Sequence, residues 1–178
     1  MLRGRRLSLL KGTAIRPTAD RLRESVFNII AGQVPGAVVL DLFAGTGAYG
    51  IEALSREARS AVFIDYAQAA ISIISRNLKR CHLEEQSRVI RWDITSGLNC
   101  LNISDTPFDL IFMDPPYNKN FVADSLRHIQ TLPFLSPGNL LIVEHSPLEP
   151  LPSDLIHLIL RDQRRYGKSL VSFLECVL

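Results

Sequence analysis

The chain predicts a doubly wound α/β sheet of about seven strands that ends in an antiparallel hairpin. Three observations carry that expectation. Short apolar runs rich in β-branched residues recur along the sequence and read as buried parallel strands. Amphipathic stretches with helical spacing lie between them. The last two runs, near residues 156–166 and 169–176, face each other across Gly167-Lys168 as a hairpin would. With 178 residues, the chain is expected to form one domain over 1–178, led by a basic arm (1–17) and an N-terminal helix (18–31).

Composition sets the outer limits. Hydrophobic residues make up 47% and charged residues 21%, as in an ordinary globular domain. No apolar run reaches the roughly 18 residues of a membrane helix. The basic start has too short an apolar region for a signal peptide, so a cytoplasmic protein without membrane contact is expected. Cys81, Cys100 and Cys176 are an odd count with no C-x-x-C spacing, and the four histidines are scattered. Neither a disulfide framework nor a metal site is expected. The net charge of +2 conceals an asymmetry: residues 1–30 carry +5 and the rest −3. Arg3, Arg5, Arg6 and Arg16 of the arm, with Arg21 and Arg23 on the helix after it, point to a polyanion at one end of the molecule. A solvated basic tail is the competing reading.

Taken in order, Thr18 can cap a helix over 19–30 whose apolar face is Leu22, Val26, Ile29 and Ile30. Gly32 to Gly36, with Pro35, turns into the first strand, which ends at Asp41. The turn Leu42-Phe43-Ala44-Gly45-Thr46-Gly47-Ala48-Tyr49-Gly50 then opens a helix. Its glycines let the backbone approach a ligand, and the helix N-terminus offers free N–H groups, so a nucleotide-like cofactor is expected there. A second strand, 61–65, ends at Asp65, twenty residues after Gly45, where an acidic side chain can reach a ribose. Ala70, Ile74, Leu78 and Cys81 line the next helix. A third strand, 88–93, ends at Asp93, and a fourth, 108–113, delivers Asp114-Pro115-Pro116-Tyr117. A helix over 121–132 and a fifth strand, 140–143, capped by Glu144-His145, complete the parallel part.

Gly45, Gly47 and Gly50 spell the dinucleotide fingerprint G-x-G-x-x-G. Asp41 and Phe43 before the first glycine, and D-P-P-Y further on, argue against a nicotinamide oxidoreductase. D-x-F-x-G-x-G with D-P-P-Y resembles the S-adenosylmethionine (SAM) methyltransferases that modify exocyclic amines of bases. Such an amine lacks nucleophilicity because its lone pair is delocalised. Asp114 and the Pro115 carbonyl could accept its protons and hold the nitrogen in line, Pro116 would stiffen the turn, and Tyr117 could stack on a flipped base. A rigid turn with a buried tyrosine is the alternative reading of those four residues. No cysteine stands beside this loop to serve carbon methylation. Asp41 would hold the methionine end of the cofactor, with Phe43, Ala44, Gly45 and Gly47 along it, Asp65 at the ribose and Asp93 at the adenine. Asp93 reads nearly as well as a turn former.

The resemblance narrows with Arg3-Gly4-Arg5-Arg6-Leu7, the block from Arg16 to Glu24 (R-P-T-x-D-R-x-R-E), Glu52-Ala53-Leu54-Ser55-Arg56, Val143-Glu144-His145 and Tyr166-Gly167. Together they make the chain similar to the bacterial guanine-N2 methyltransferases of small-subunit ribosomal RNA, the RsmD type. That resemblance implies a Rossmann-like SAM-dependent methyltransferase fold, SAM as donor, and guanine in 16S rRNA or the assembling small subunit as acceptor, with the protein as a monomer and no metal. Two departures stand out: the segment before Arg16 is short, and Glu57-Ala58 replaces a Gly-Ala pair often found there. The alternatives are an adenine-N6 methyltransferase acting on DNA or RNA and a non-catalytic RNA-binding module on the same fold.

Overall fold

Val38–Leu42 is buried at every position, and this strand, β1, is an interior strand, third of the seven. The structure, a computed structural model, describes residues 17–101, 107–133 and 135–177. Around β1 lie β2 (Ser60–Asp65), β3 (Ser87–Arg91), β4 (Leu110–Met113), β5 (Leu140–His145), β6 (Leu158–Tyr166) and β7 (Ser169–Cys176). Their order is β3-β2-β1-β4-β5-β7-β6. The first five pair in parallel, and β7 runs antiparallel between β5 and β6. Helices α1 (Pro17–Ile29), α2 (Ala48–Ser55), α3 (Gln68–Cys81) and α4 (Phe121–Ile129) accompany the strands. The expected seven-stranded, doubly wound sheet with its terminal hairpin is the observed fold.

Side chains alternate across a strand, so the sheet divides its residues between two cores. Val39, Phe63, Phe112 and Ile142 pack against Val26 and Phe27 of α1, Ile51 and Leu54 of α2, and Ile74 and Leu78 of α3. On the other face, Leu40, Ile64, Ile111 and Val143 pack against Val122, Leu126 and Ile129 of α4. The alternation has a consequence at the carboxyl edge. Asp41, Asp65, Asp114 and Glu144 each follow a member of the first core by two residues, so their carboxylates gather on the α1/α2 face. Strand order reverses between β1 and β4, and open α/β sheets bind ligands at such a crevice. Leu42 is in register with Met113 there, so the glycine loop and D-P-P-Y leave the sheet side by side.

Several boundaries differ from the sequence expectation. Helix α1 starts at Pro17 rather than after a Thr18 cap, as a proline's fixed φ allows in a first helical turn. Its buried face includes Phe27, while Ile29 is exposed, because the Phe27 ring packs on Phe112 with centroids 5.4 Å apart. Strand β3 stops at Arg91, since Asp93 caps a short 3-10 turn, Ile94–Ser96, and turns the chain out of the sheet. Strand β5 runs on to His145, held by the β7 ladder through Leu170. Among the described residues, no helix is long and apolar enough to cross a membrane.

Candidate active site

Each of the three loop glycines answers a different requirement. At Gly45 (φ 56°), an added Cβ would meet only the Phe43 carbonyl at 3.9 Å, so one side of the loop stays open. Gly47 (φ 77°) caps α2 in the left-handed region, and its Cβ would press on Ile51, Phe63 and Ile74 at 3.3–3.4 Å. Gly50 lies inside α2, where a Cβ would stand 2.3 Å from the Phe63 ring, so its absence lets helix and strand meet. Neighbours hold the loop in place. Asp65 accepts the Gly45 N–H at 2.9 Å with Oδ2 and the Ala67 N–H at 2.8 Å with Oδ1. Ala44 N–H donates to the Ile64 carbonyl, and the buried Asn77 donates to the Thr46 carbonyl at 2.9 Å. Phe43, at φ 56°, stacks on Phe121 with ring centroids 6.0 Å apart.

Beneath the loop, Asp41 is only 2% exposed, and its Oδ2 accepts the Gly50 N–H at 2.9 Å. Burial pushes its carboxyl up to about 8; the Gly50 bond acts downward, and the nearby Asp65 charge adds to the rise. A carboxyl kept neutral in this way would ionise if a cation were placed beside it.

Across the crevice, Asp114 follows β4 and is open to solvent, while Pro115 behind it is buried. The protein around the Asp114 carboxyl, then the Glu144 and Asp41 carboxylates, push it upward from its ordinary value. Its open face still admits water, so the upward direction owes much to its two acidic neighbours.

Glu144 joins the two sides. Its Oε1 accepts the Tyr117 hydroxyl at 2.6 Å, and its Oε2 accepts the Tyr49 hydroxyl at 3.4 Å. With the Tyr117 proton committed to Glu144, Ser169 Oγ, also 2.6 Å away, donates to the Tyr117 oxygen. Burial and then the Glu144 bond hold the Tyr117 phenol above its usual range, so it stays a donor. Tyr49 is the upper layer of an aromatic stack, 5.0 Å from Phe112 and 6.3 Å from Phe27. Glu149 Oε2 accepts the Asn118 N–H at 2.9 Å, so one strand and the loop after it pin the D-P-P-Y segment at two points.

The structure thus brings Asp41, Phe43, Ala44, Gly45, Gly47 and Asp65 to one side of the crevice and Asp114, Pro115, Pro116 and Tyr117 to the other. Asp93 is drawn into its own turn, where Oδ1 accepts from the Thr95 N–H at 3.0 Å and hydroxyl at 2.7 Å. Arg21 is exposed, whereas Arg23 pairs with Asp20 at 2.9 Å and acts electrostatically on Tyr49, which places it near the crevice. Arg3, Arg5, Arg6 and Arg16 lie outside the described residues. Among the described residues, no group of three or more His, Cys, Asp or Glu could hold a metal ion. Glu144, Tyr49 and Asn77 are site residues that sequence reasoning does not single out. For Glu144 a signal is present, a carboxylate ending an apolar strand as Asp41 and Asp114 do.

A family model described as conserved hypothetical protein 95 matches residues 1–175. Ribosomal RNA small subunit methyltransferase D of Haemophilus influenzae is 33% identical over 84% of this chain and 77% of its own length. The chain belongs to this methyltransferase family. YlbH of Bacillus subtilis is 36% identical, covering 93% of this chain and 90% of its own. Among solved structures, yhhF from Escherichia coli matches with a TM-score of 0.82 and 29% identity, covering 98% of this chain and 93% of that one. The family likeness therefore spans both the glycine-loop half and the D-P-P-Y half of the sheet.

Proposed function

We propose that this chain transfers a methyl group from SAM to the exocyclic N2 amine of a guanine in 16S rRNA, alone or within the assembling small subunit. The observation that carries the reading is Asp114 at the end of β4, facing the glycine loop across the β1/β4 switch point. The residues present fit the donor: Asp41 is a neutral buried acid that a substrate ammonium would ionise, and the side of the loop at Gly45 is open. SAM supplies a methyl already activated on a sulfonium. Asp65 keeps lone pairs for a ribose hydroxyl while it holds the Gly45 and Ala67 amides. Asp93 is a weaker candidate for the adenine, because its Oδ1 is committed to Thr95.

On the acceptor side, Asp114 and the Pro115 carbonyl would accept the amine protons and orient the nitrogen. The Tyr117 ring, 37% exposed and tethered by its hydroxyl, offers a face for an unstacked base. The arm residues Arg3, Arg5, Arg6 and Arg16, with Arg21 and Arg23, would meet phosphates. Phe27 packs midway along α1 against Phe112 and Tyr49, and Arg23 lies one turn earlier, so this helix leads back from the crevice toward the arm. One domain, acting as a cytoplasmic monomer, completes the proposal. The test is methylation of bulk RNA from a strain lacking the gene, with labelled SAM, followed by mass spectrometry of the nucleosides. Label in N2-methylguanosine is expected; label in N6-methyladenosine, or none in RNA, would overturn the reading.

A further inference from the structure

We propose that the outer half of the terminal hairpin, residues 161–168, is a second phosphate-docking surface that holds the RNA backbone beside the nucleotide being methylated. The proposal rests on the RNA reading above and names a surface that reading does not include. Topology supplies the first argument. Strand β7 is antiparallel to both β5 and β6, so the C-terminal end of β6 and the turn after it lie at the carboxyl edge, with Asp114 and Glu144. Ser169, the first residue after that turn, bonds the Tyr117 hydroxyl at 2.6 Å, which ties the hairpin directly to the D-P-P-Y loop.

Charge and exposure supply the second argument. Residues 161–168 carry Arg161, Arg164, Arg165 and Lys168 against one carboxylate, Asp162. Arg161 is paired with Glu175 and Arg164 with Asp162, each at 2.8 Å. Arg165 donates only to the Gly167 carbonyl at 3.2 Å, and neither it nor Lys168 forms an ion pair among the described residues. Both are exposed, so two cations stand uncompensated beside the acceptor side of the crevice.

An edge strand also carries charge simply to deter edge-to-edge pairing. The distribution argues for more than that. A register shift between Leu160 and Asp162 divides β6. Its first half exposes Ile159 (45%) and Leu160 (46%), where the charge beside them is the mutually compensated Arg161–Glu175 pair. The cations gather instead in the half that reaches the active edge. Exposed arginine and lysine there match the phosphates of a strand whose target base enters the crevice.

The test is Arg165→Ala/Lys168→Ala, assayed for binding to small-subunit RNA across a salt series. Each phosphate of single-stranded RNA that is no longer neutralised flattens the log–log salt slope by about 0.7, so the slope of the double variant should be shallower by about 1.4. Its KM for RNA should rise roughly tenfold or more at low salt, with kcat at saturating RNA, melting temperature and S-adenosylhomocysteine affinity unchanged. Arg165→Lys, which keeps the charge, should retain the slope. A double variant with the wild-type slope, in an enzyme that methylates RNA, overturns the docking surface alone. Self-association of the variant with no change in slope also overturns it, and assigns the cations to edge protection. If wild-type protein places no methyl on RNA, the parent reading fails and this surface falls with it.

Discussion

Gly50→Ala tests whether α2 and β2 approach each other as closely as the structure makes them. An added methyl would stand 2.3 and 2.7 Å from two carbons of the Phe63 ring and 3.2 Å from Asp41 Oδ2. Ordinary carbon–carbon contact is about 3.5–4.0 Å, so ring or helix has to move by about 1 Å. The ring has little freedom. Phe63 is fully buried, and Gly47 lies so near the same ring atom that a Cβ added there would stand 3.3 Å from it. Overpacking of this kind costs about 1–3 kcal/mol, and the rigidity of both partners argues for the upper end. Alanine recovers about 1 kcal/mol of helix propensity over glycine. The net loss is then about 2 kcal/mol, or a fall in melting temperature of about 4–8 °C for a chain of this size. Lifting α2 also withdraws the Gly50 N–H from Asp41, so affinity for S-adenosylhomocysteine should drop as well. Gly32→Ala is the control: no heavy atom lies within 4 Å of its added methyl, and a change within about 0.5 kcal/mol is expected. Scanning calorimetry and titration calorimetry on both variants provide the readout. If Gly50→Ala melts at or above the wild-type temperature, the packing argument is wrong.

Three further outcomes are expected. Asp114→Ala should lower turnover about 10²–10³-fold, the value of a missing transition-state hydrogen-bond partner, while S-adenosylhomocysteine affinity stays within a few-fold; weakened affinity with unchanged turnover at saturation would make Asp114 a cofactor ligand. Asp41 has a folded-state value of about 8 against an ordinary 3.8, so between these the folded protein keeps a proton that the unfolded chain has released, and ligand-free stability declines as pH rises through that window. Asp114, also raised, contributes a decline of the same sign, so melting curves of Asp41→Asn over the same range should show a smaller decline, and a variant with the full wild-type decline would refute the assignment. Glu57 sits at φ 73°, a left-handed conformation costing about 1 kcal/mol for a residue with a Cβ. Glu57→Gly should therefore raise stability by a few tenths to about 1 kcal/mol after the added unfolded-state entropy is subtracted, as urea unfolding would register.

The parts of this fold that are legible in the sequence are those specified locally. The run into Asp41, the glycine turn and the face Ala70, Ile74, Leu78 and Cys81 announce themselves by period and turn chemistry within a dozen residues, and the structure buries all four helix residues. Phe27 escapes such reading because a 3.6-residue period admits either flank of the stripe through Leu22, Val26 and Ile30. The Phe112 and Tyr49 rings, distant in sequence, decide between the flanks. Alternation continues through Trp92 and Asp93, which makes the third strand two residues too long on pattern alone. What ends it is the hydrogen bonding of Asp93 to Thr95. Glu144 reads as a cap because the apolar run of β5 stops at Val143. Its place in the site depends on register between β4, β5 and β7, which no local pattern encodes.

The sheet order has a consequence for how such proteins diversify. Every described residue assigned to the donor comes from the chain before Leu101, and every described residue assigned to the methylated base comes from Pro107 onward. Their strands pair along one ladder, Val39–Leu42 against Leu110–Met113, and a few side chains cross it, among them Tyr49 to Glu144 and Phe43 to Phe121. Mutations in the acceptor portion that spare Glu144, Phe112 and Phe121, which touch Tyr49 and Phe43, can accumulate without disturbing the glycine loop. Inheritance can then conserve the donor portion as a fixed engine while the acceptor portion drifts toward new targets. A domain with this seam is well suited to laboratory chimeras in which the second portion is exchanged between relatives and the first is left intact.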